Sequence, residues 1–231
     1  MFPLHDDNPT TINPFVTIGL IVICILVYLW QITLGEELGN MIVYSLGMIP
    51  AVLFDHSQLS TELYIVPAEV TVITSMFMHG GFMHLAGNML YLWIFGNNVE
   101  DSMGHTRFIL FYLICGAAAA LSQALIEPSS AIPMIGASGA VSGILGAYLL
   151  LHPHAKVLVV VPIIIPLTFR IPAMFVLGIW FAMQLFSSTT VVSGEGGVAW
   201  WAHIGGFVTG MLLISVFKFK QVKLFNPAIK R

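Results

Sequence analysis

Ser138 and His203 are the residues of this sequence whose types best suit nucleophilic chemistry. Ser138 lies in the stretch GASGAVSG and His203 in AHIGG, and each is close to the start of a long apolar run. A serine hydroxyl is a weak nucleophile until a neighbouring base removes its proton, and an imidazole suits that task near neutral pH. If the fold brings them together, the two side chains could attack a carbonyl carbon.

Two further polar residues, His84 and Asn88, begin another apolar run and are four positions apart. On a helix this spacing puts both side chains on one face. Attack on a carbonyl creates an oxyanion, which needs preorganised donors such as a side-chain amide or a backbone N–H group. We therefore assign His84 and Asn88, with the Ser138 N–H, as candidate oxyanion donors. Because no Asp or Glu lies inside any apolar run, we expect a Ser–His dyad and not a triad.

The segments that carry these residues are predicted to be membrane-spanning helices. Hydrophobic residues make up 58% of the chain and charged residues 8%, with a mean hydropathy of +0.92, whereas a soluble domain has about 25% charged residues. A helix needs about 20 apolar residues to cross a bilayer, and six uncharged runs approach that length. They are Phe15 to Leu34, Phe82 to Asn98, Phe108 to Ile126, Ile135 to Leu151, Pro172 to Phe186 and Val198 to Phe217. The sequence therefore predicts an all-α membrane protein, with one six-helix bundle over residues 15–217.

Two other segments are partly apolar without fitting a span. Residues 157–169 are short and are interrupted by Pro162 and Pro166, so we expect an interfacial or buried loop there. Residues 35–69 mix apolar stretches with acidic residues, and we expect this segment to lie along the membrane surface.

The positive charges give the orientation of the bundle, because cytoplasmic loops hold most Lys and Arg residues. All eight fall between the second and third runs, between the fourth and fifth, or after the sixth. They are Arg107, Lys156, Arg170, Lys218, Lys220, Lys223, Lys230 and Arg231. Both termini are therefore predicted to be cytoplasmic, with residues 1–14 and the basic residues 218–231 as tails. The second, fourth and sixth runs then start at the outer surface, so the four candidate residues share one level below it.

Small residues at helical spacing should let two of these helices approach closely. They are Gly136, Gly139, Gly143 and Gly146 in the fourth run, and Gly205, Gly206 and Gly210 in the sixth. In membranes this spacing permits close helix contact. Such contact is required for a hydrogen bond of about 2.6–3.2 Å between a nucleophile and its base.

The composition gives little support to other kinds of site. Cys24 and Cys115 lie in apolar runs, where cysteine acts as a small apolar residue and indicates neither a disulfide nor a metal site. No basic cluster with interleaved aromatic residues occurs in the sequence, so we expect no nucleic-acid binding. We expect the lipid bilayer as the surroundings of the protein, with no metal and no cofactor.

Three stretches, in this order, resemble the rhomboid family of intramembrane serine proteases. They are HGGFMHLAGN from His79 to Asn88, GASGAVSGILGAY from Gly136 to Tyr148, and AHIGGFVTG from Ala202 to Gly210. The resemblance covers roughly residues 69–209. It implies a six-helix rhomboid-like bundle in which Ser138 is the nucleophile, His203 is the base, and His84 and Asn88 line the oxyanion hole. We expect the following residues to have structural roles near the site: His79, Gly136, Gly139 and Gly206.

The resemblance also implies an activity and a location. Rhomboid-like proteins of this kind are serine endopeptidases that hydrolyse peptide bonds in or next to transmembrane segments of other membrane proteins. We therefore expect transmembrane protein substrates and a position in the plasma membrane of a bacterium. Where some members have an aromatic residue one turn after the nucleophile, this chain has Ser142, so the support of the histidine must come from elsewhere.

Two alternatives are kept beside this hypothesis. The first is a catalytically silent rhomboid-like protein that binds membrane proteins, which the presence of both Ser138 and His203 argues against. The second is a transporter or metal site built on His79, His84 and His203. It ranks last, because the sequence has no H-E-x-x-H motif and no inverted repeat.

Overall fold

The fold is a bundle of helices joined at one end by a small sheet. The computed structural model describes residues 2–161, 167–190 and 197–226. Its helices are α1 (Phe15–Thr33), α2 (Gly35–Leu46), α3 (Pro50–Leu53), α4 (Ala68–Thr74), α5 (Phe82–Met103), α6 (His105–Ile126), α7 (Ser138–Leu151), α8 (Ala173–Thr190) and α9 (Trp200–Phe217), with a 3-10 turn at Ser75–Phe77. Each of the six apolar runs therefore forms a helix, and the boundaries differ from the predicted ones by a few residues.

Four of the described helices are long and apolar enough to cross a membrane. They are α1, α6, α8 and α9. Helix α7 is apolar but has 14 residues, and α5 has 22 residues but carries Glu100 and Asp101 near its end. Because α7 and α5 fall short in length or hydropathy, length and composition alone support four spans and not the six that the sequence predicts.

A three-stranded antiparallel sheet corrects the expectation of an all-α protein. Its strands are β1 (Phe2–Asp6), β2 (Lys156–Val161) and β3 (Leu167–Pro172), in the order β1-β2-β3. The predicted loop at residues 157–169 is thus largely β-structure, and the predicted N-terminal tail contributes a strand. The reason is the β-branched composition of β2, since valines favour extended backbone. Pro162 and Pro166 lie outside the described residues.

The sheet packs on the bundle through alternate residues of β2. Val157 and Val159 are fully buried, and they pair with Ile171 and Phe169 of β3. On the other side, β1 pairs with β2 from Phe2 opposite Val160 to Asp6 opposite Val157. The sequence pattern of a half-buried strand, with every second side chain inward, is therefore present in a segment too short to span a membrane.

Helices α7 and α9 make the closest contact in the bundle, as the glycine spacing predicts. A Cβ atom added to Gly206 would overlap the carbonyl oxygen of Gly139, and one added to Gly210 would overlap that of Gly143. Gly146 lies equally close to the carbonyl oxygen of Phe207. Only glycine permits backbones to approach this closely, so these residues set the distance between the helices that carry Ser138 and His203.

The first and last described segments of the chain are attached near the C-terminal end of α7. The Asp6 carboxylate accepts hydrogen bonds from Tyr148 Oη at 2.6 Å and from Asn98 Nδ2 at 3.1 Å. Burial raises the pKa of the Asp6 carboxyl, and the bond from Tyr148 opposes that effect. After α9, the backbone N–H of Phe225 donates to the carbonyl of Leu150 at 2.7 Å. The predicted basic tail is thus packed on the bundle up to residue 226, whereas Lys230 and Arg231 lie outside the described residues.

A buried carboxylate fixes the start of α1. Glu100 is fully buried and accepts hydrogen bonds from the backbone N–H groups of Val16 and Thr17, at 2.9 and 2.8 Å. The Thr17 hydroxyl donates to the same carboxylate at 2.6 Å, and His105 Nδ1 lies 2.6 Å from it. A carboxylate at a helix N-terminus satisfies free N–H groups and the positive end of the helix dipole. Glu100 therefore attaches α1 to α5.

Candidate active site

Ser138 and His203 are hydrogen-bonded to each other. Ser138 is the first residue of α7 and His203 is the fourth of α9, and His203 Nε2 lies 2.8 Å from Ser138 Oγ. This distance is within the range over which a base can take the proton of a serine hydroxyl. The close glycine contact between α7 and α9 makes this distance possible, because the two side chains would be too short to meet across an ordinary helix spacing of about 8–10 Å.

The other ring nitrogen of His203 faces an amide. Gln184 of α8 has its Oε1 atom 2.8 Å from His203 Nδ1, and both side chains are buried. The Trp180 ring lies beside the imidazole with a centroid distance of 6.0 Å, and the Trp200 ring lies edge-on at 6.2 Å. The histidine is therefore held on three sides by residues from α7, α8 and α9.

His84 lies next to Ser138, across the backbone of Gly136. The point at which a Cβ of Gly136 would stand is 2.7 Å from the His84 ring and 3.8 Å from Ser138 Oγ. Gly136 also has a φ of +122°, a backbone conformation that side chains with a Cβ disfavour. Glycine is thus required here for two reasons, and its lack of a side chain leaves room for His84 beside Ser138.

Asn88 is one helical turn after His84 and is anchored to it. Its Nδ2 atom donates to the carbonyl of His84 at 2.9 Å, and its side chain is buried at the wall of the same cavity as Ser138. A primary amide has two N–H groups, so one bond to the helix backbone fixes the orientation of the amide and leaves a second donor.

The start of α7 adds backbone donors at the same point. The first N–H groups of a helix have no partner within the helix, and the helix dipole places partial positive charge there. Ser138 is the first residue of α7. An anion that forms against the Ser138 hydroxyl would therefore meet both the backbone N–H and the positive end of the dipole.

A cavity of about 650 Å³ contains these side chains. Ser138, His203, His84 and Asn88 all line it, together with apolar residues such as Met134 and Trp201. Pockets of about 300–1,000 Å³ hold small-molecule ligands, and an extended peptide segment of a few residues has a comparable size. The structure thus brings the four predicted side chains to one accessible space.

The remaining predicted residues lie around this cavity. Gly136 and Gly139 line it, and Gly206 packs against Gly139. His79 belongs to the loop before α5, where its backbone N–H donates to Gln31 Oε1 at 3.1 Å and its ring lies edge-on to His84 at 5.3 Å. Over the described residues, no group of three or more His, Cys, Asp or Glu side chains is arranged to hold a metal ion.

Three polar residues make contacts at the site that the sequence analysis did not predict. Gln184 contacts His203, Gln123 Oε1 accepts from the Ala202 N–H at 3.3 Å, and Ser142 Oγ donates to the Ser138 carbonyl at 2.6 Å. A signal for Gln184 was present, since it is the one amide in the fifth apolar run and polar side chains at membrane depth usually bond to another helix.

The apolar helices and this arrangement define a multi-pass membrane protein with a hydrogen-bonded serine–histidine pair at one end of its bundle. The rhomboid domain model matches residues 67–219, which is well over half of the chain and includes Ser138, His203, His84 and Asn88. The protein belongs to the rhomboid family.

Curated relatives agree with this assignment. The chain is 32% identical over 157 residues to "Rhomboid protein 1, mitochondrial" of Saccharomyces cerevisiae, a match that covers 64% of this chain and 41% of the yeast protein. It is 41% identical over 78 residues to "Rhomboid protease GluP" of Bacillus subtilis, covering 34% of this chain and 15% of that protein. "RHOMBOID-like protein 1" of Arabidopsis thaliana is 31% identical over 158 residues, covering 67% of this chain and 36% of the relative. The chain thus spans less than half the length of each of these relatives.

Proposed function

We propose that the protein is an intramembrane serine endopeptidase that hydrolyses peptide bonds in or next to transmembrane segments of other membrane proteins. The observation that carries the proposal is the 2.8 Å hydrogen bond between Ser138 Oγ and His203 Nε2 in the wall of the cavity. In this proposal Ser138 is the nucleophile, His203 is the general base, and His84 and Asn88 stabilise the oxyanion.

The reaction begins when Ser138 Oγ attacks the scissile carbonyl carbon. The hydroxyl proton passes to His203 Nε2 as the Oγ–C bond forms, and the carbonyl electron pair moves onto oxygen. The oxyanion is stabilised by the Asn88 amide, the His84 ring and the Ser138 N–H. When the carbonyl re-forms, the C–N bond breaks and His203 gives its proton to the leaving amine. Water then attacks the acyl-enzyme by the same route and restores the Ser138 hydroxyl.

The substrate must present an unwound segment to this cavity. A helix uses its carbonyl groups in internal hydrogen bonds, so a transmembrane substrate can be attacked only where its helix has opened. Helical backbone opens readily only where polar groups find other partners. The polar side chains at the starts of α5, α7 and α9 are suited to supply such partners, and this supports peptide bonds near a membrane surface as the substrate.

The proposed topology has six spans, formed by α1 and α5 to α9, with both termini cytoplasmic in the plasma membrane of a bacterium. Two contacts support termini on a common side: β1 pairs with β2, which follows α7, and Phe225 bonds to the carbonyl of Leu150 at the end of α7. Ser138 is at the opposite end of α7. The site then lies near the outer face of the membrane, and the positive charges lie inside.

Cleavage by purified protein in liposomes with a single-span substrate tests the proposal. We expect wild type to cut the substrate, and Ser138→Ala to lower the rate by at least about 10³-fold, because the nucleophile is lost. Ser215→Ala is the matched control, since Ser215 is an exposed residue of α9 away from the cavity. A fluorophosphonate should label wild type and Ser215→Ala but not Ser138→Ala.

Equal cutting by wild type and Ser138→Ala would exclude Ser138 as the nucleophile. If the wild type neither cuts nor reacts with the fluorophosphonate, yet retains the single-span protein on purification, the silent binder replaces the protease as the better hypothesis.

A further inference from the structure

We propose that Gln184 is a positioning residue that holds His203 in the tautomer able to act as a base. The inference rests on the proposed function and concerns a contact that the sequence did not indicate, between the amide of Gln184 on α8 and the imidazole of His203 on α9.

The hydrogen bonds of Gln184 fix which amide atom faces the histidine. Gln184 Nε2 donates to the carbonyl of Trp180 at 3.1 Å, one turn earlier on α8. A carbonyl can only accept, so the amide nitrogen must lie on that side and Oε1 must face His203. The Oε1 atom, 2.8 Å from His203 Nδ1, is likewise only an acceptor.

The orientation of the amide determines the proton positions on the imidazole. An acceptor at Nδ1 requires that Nδ1 carry a hydrogen, and a neutral imidazole has only one N–H. Nε2 is then unprotonated and accepts the hydrogen bond from the Ser138 hydroxyl. This is the tautomer that general-base catalysis needs. The opposite tautomer would point an N–H at Ser138 and leave two lone pairs facing each other at Nδ1 and Oε1.

The contact persists through the reaction. After His203 takes the Ser138 proton, Nδ1–H still donates to Gln184 Oε1, and the bond strengthens because the donor is then charged. Gln184 thus favours the imidazolium without itself carrying a charge. A buried carboxylate in this place would have to be desolvated among apolar helices at high cost, whereas the amide costs little.

The position of Ser142 explains why such a residue is needed. Ser142 is one turn after Ser138 and is bonded to the Ser138 carbonyl at 2.6 Å, so its side chain gives the imidazole no flat surface to rest on. The remaining side contacts are the rings of Trp180 and Trp200, which limit ring tilt but do not select a tautomer. His84 is a second titratable group that faces His203 across the cavity, which Tyr91 and Glu127 also line.

Three variants of the protein in liposomes test the inference. Gln184→Met keeps the length of the side chain and removes the acceptor, and we expect kcat to fall about 10- to 100-fold with KM within about twofold of wild type. Gln184→Glu in its neutral, protonated form keeps an oxygen acceptor without burying a charge, and should recover most of that loss. Met183→Leu changes the exposed neighbouring residue and should match wild type.

Nitrogen NMR of protein with ¹⁵N-labelled histidine gives a readout that a purely structural role would not change. In wild type we expect His203 to carry its hydrogen on Nδ1, and in Gln184→Met a mixture of both tautomers. A wild-type His203 with its hydrogen on Nε2 overturns the inference whatever the variants do, including the case in which Gln184→Met fails to fold.

The outcomes separate this inference from the proposed function. If wild type cuts substrate and Gln184→Met has wild-type kcat, the positioning role is excluded and the protease stands. If wild type neither cuts nor reacts with a fluorophosphonate, the proposed function fails, and the NMR spectrum alone decides whether Gln184 selects the tautomer.

Discussion

At the scale of single residues, the site depends on polar atoms whose partners lie on other helices. His203 contacts Ser138 on α7 and Gln184 on α8, while Asn88 and His84 approach from α5. His203, Gln184 and Asn88 are buried, and a buried donor or acceptor that lacks a partner costs more free energy than one in water. The geometry of these hydrogen bonds is therefore strongly constrained, and we expect the removal of one donor or acceptor to lower the rate of cleavage.

Asn88 provides the sharpest residue-scale prediction after the dyad. If its free N–H stabilises the oxyanion, Asn88→Ala should lower kcat about 10²- to 10³-fold with little change in KM, because the interaction forms only in the transition state. Steady-state kinetics on a single-span substrate measures both parameters. Asn40→Ala on the exposed face of α2 is the control. A raised KM with unchanged kcat would instead assign Asn88 to substrate binding.

At the scale of elements, the contact between α7 and α9 holds Ser138 and His203 at hydrogen-bonding distance. The Gly206 and Gly139 backbones meet without side chains between them, and Gly206 is three residues after His203 in the same helix. Any widening here moves the imidazole away from Ser138, so helix packing and reactivity are linked at this point.

Gly206→Ala tests that link. The new Cβ would overlap the Gly139 carbonyl oxygen, so we expect a loss of about 1–3 kcal/mol in unfolding free energy from overpacking and a loss of fluorophosphonate labelling. Gly178→Ala on α8 is a matched control, because nothing lies within 4 Å of its added Cβ. Unfolding in mixed micelles and labelling rates measure the two effects. Equal stability of the two variants would show that the contact is not tight.

The elements differ in how far the sequence predicts them. Helices such as α1 and α6 are predicted by long uncharged runs, because a backbone in a membrane must satisfy its hydrogen bonds internally and a helix does so. The sheet was not predicted, because β1 pairs with a strand more than 140 positions away and its residues, FPLHD, carry no strand pattern by themselves. The valines of β2 were interpreted as an apolar loop because the segment is short and Pro162 and Pro166 interrupt it.

The residues of the candidate site also differ in how far the sequence predicts them. The motifs indicate Ser138, His203, His84 and Asn88, since each is a polar residue near the start of an apolar run. Gln184 is polar too, but its run proceeds in the opposite direction, and its level relative to His203 depends on the length and tilt of α8. Such a contact is set by packing and not by spacing.

At the scale of the whole molecule, the end opposite the site is closed by the sheet and by both terminal segments. His152 lies at this end, directly after α7, with its ring 5.3 Å from that of Tyr148. Burial lowers the pKa of His152 to about 4, and Asp101 opposes the shift. In the unfolded chain the pKa of histidine is about 6.5, so the folded state binds the proton less readily.

The free energy of unfolding falls as the pH drops from 6.5 toward 4, because the unfolded chain binds a proton at His152 that the folded state excludes. Above pH 6.5 the contribution of a neutral His152 to stability is complete. We expect His152→Gln to reduce the loss of unfolding free energy on acidification by about 1–2 kcal/mol. Unfolding free energies at pH 7 and pH 4.5 measure it. His154→Gln, two positions along and exposed, should keep the wild-type slope, and an unchanged slope in His152→Gln would contradict the assignment.

The pairing of β1 with β2 has a consequence for biosynthesis. In this pairing Asp6 lies opposite Val157, 151 positions along the chain, and ribosomes add roughly 5–20 residues per second. The first strand therefore leaves the ribosome roughly 8 to 30 s before its partner strand does, and must wait while the helices between the two strands are made. Because β2 directly follows α7, the sheet can close only after the synthesis of α7 is complete.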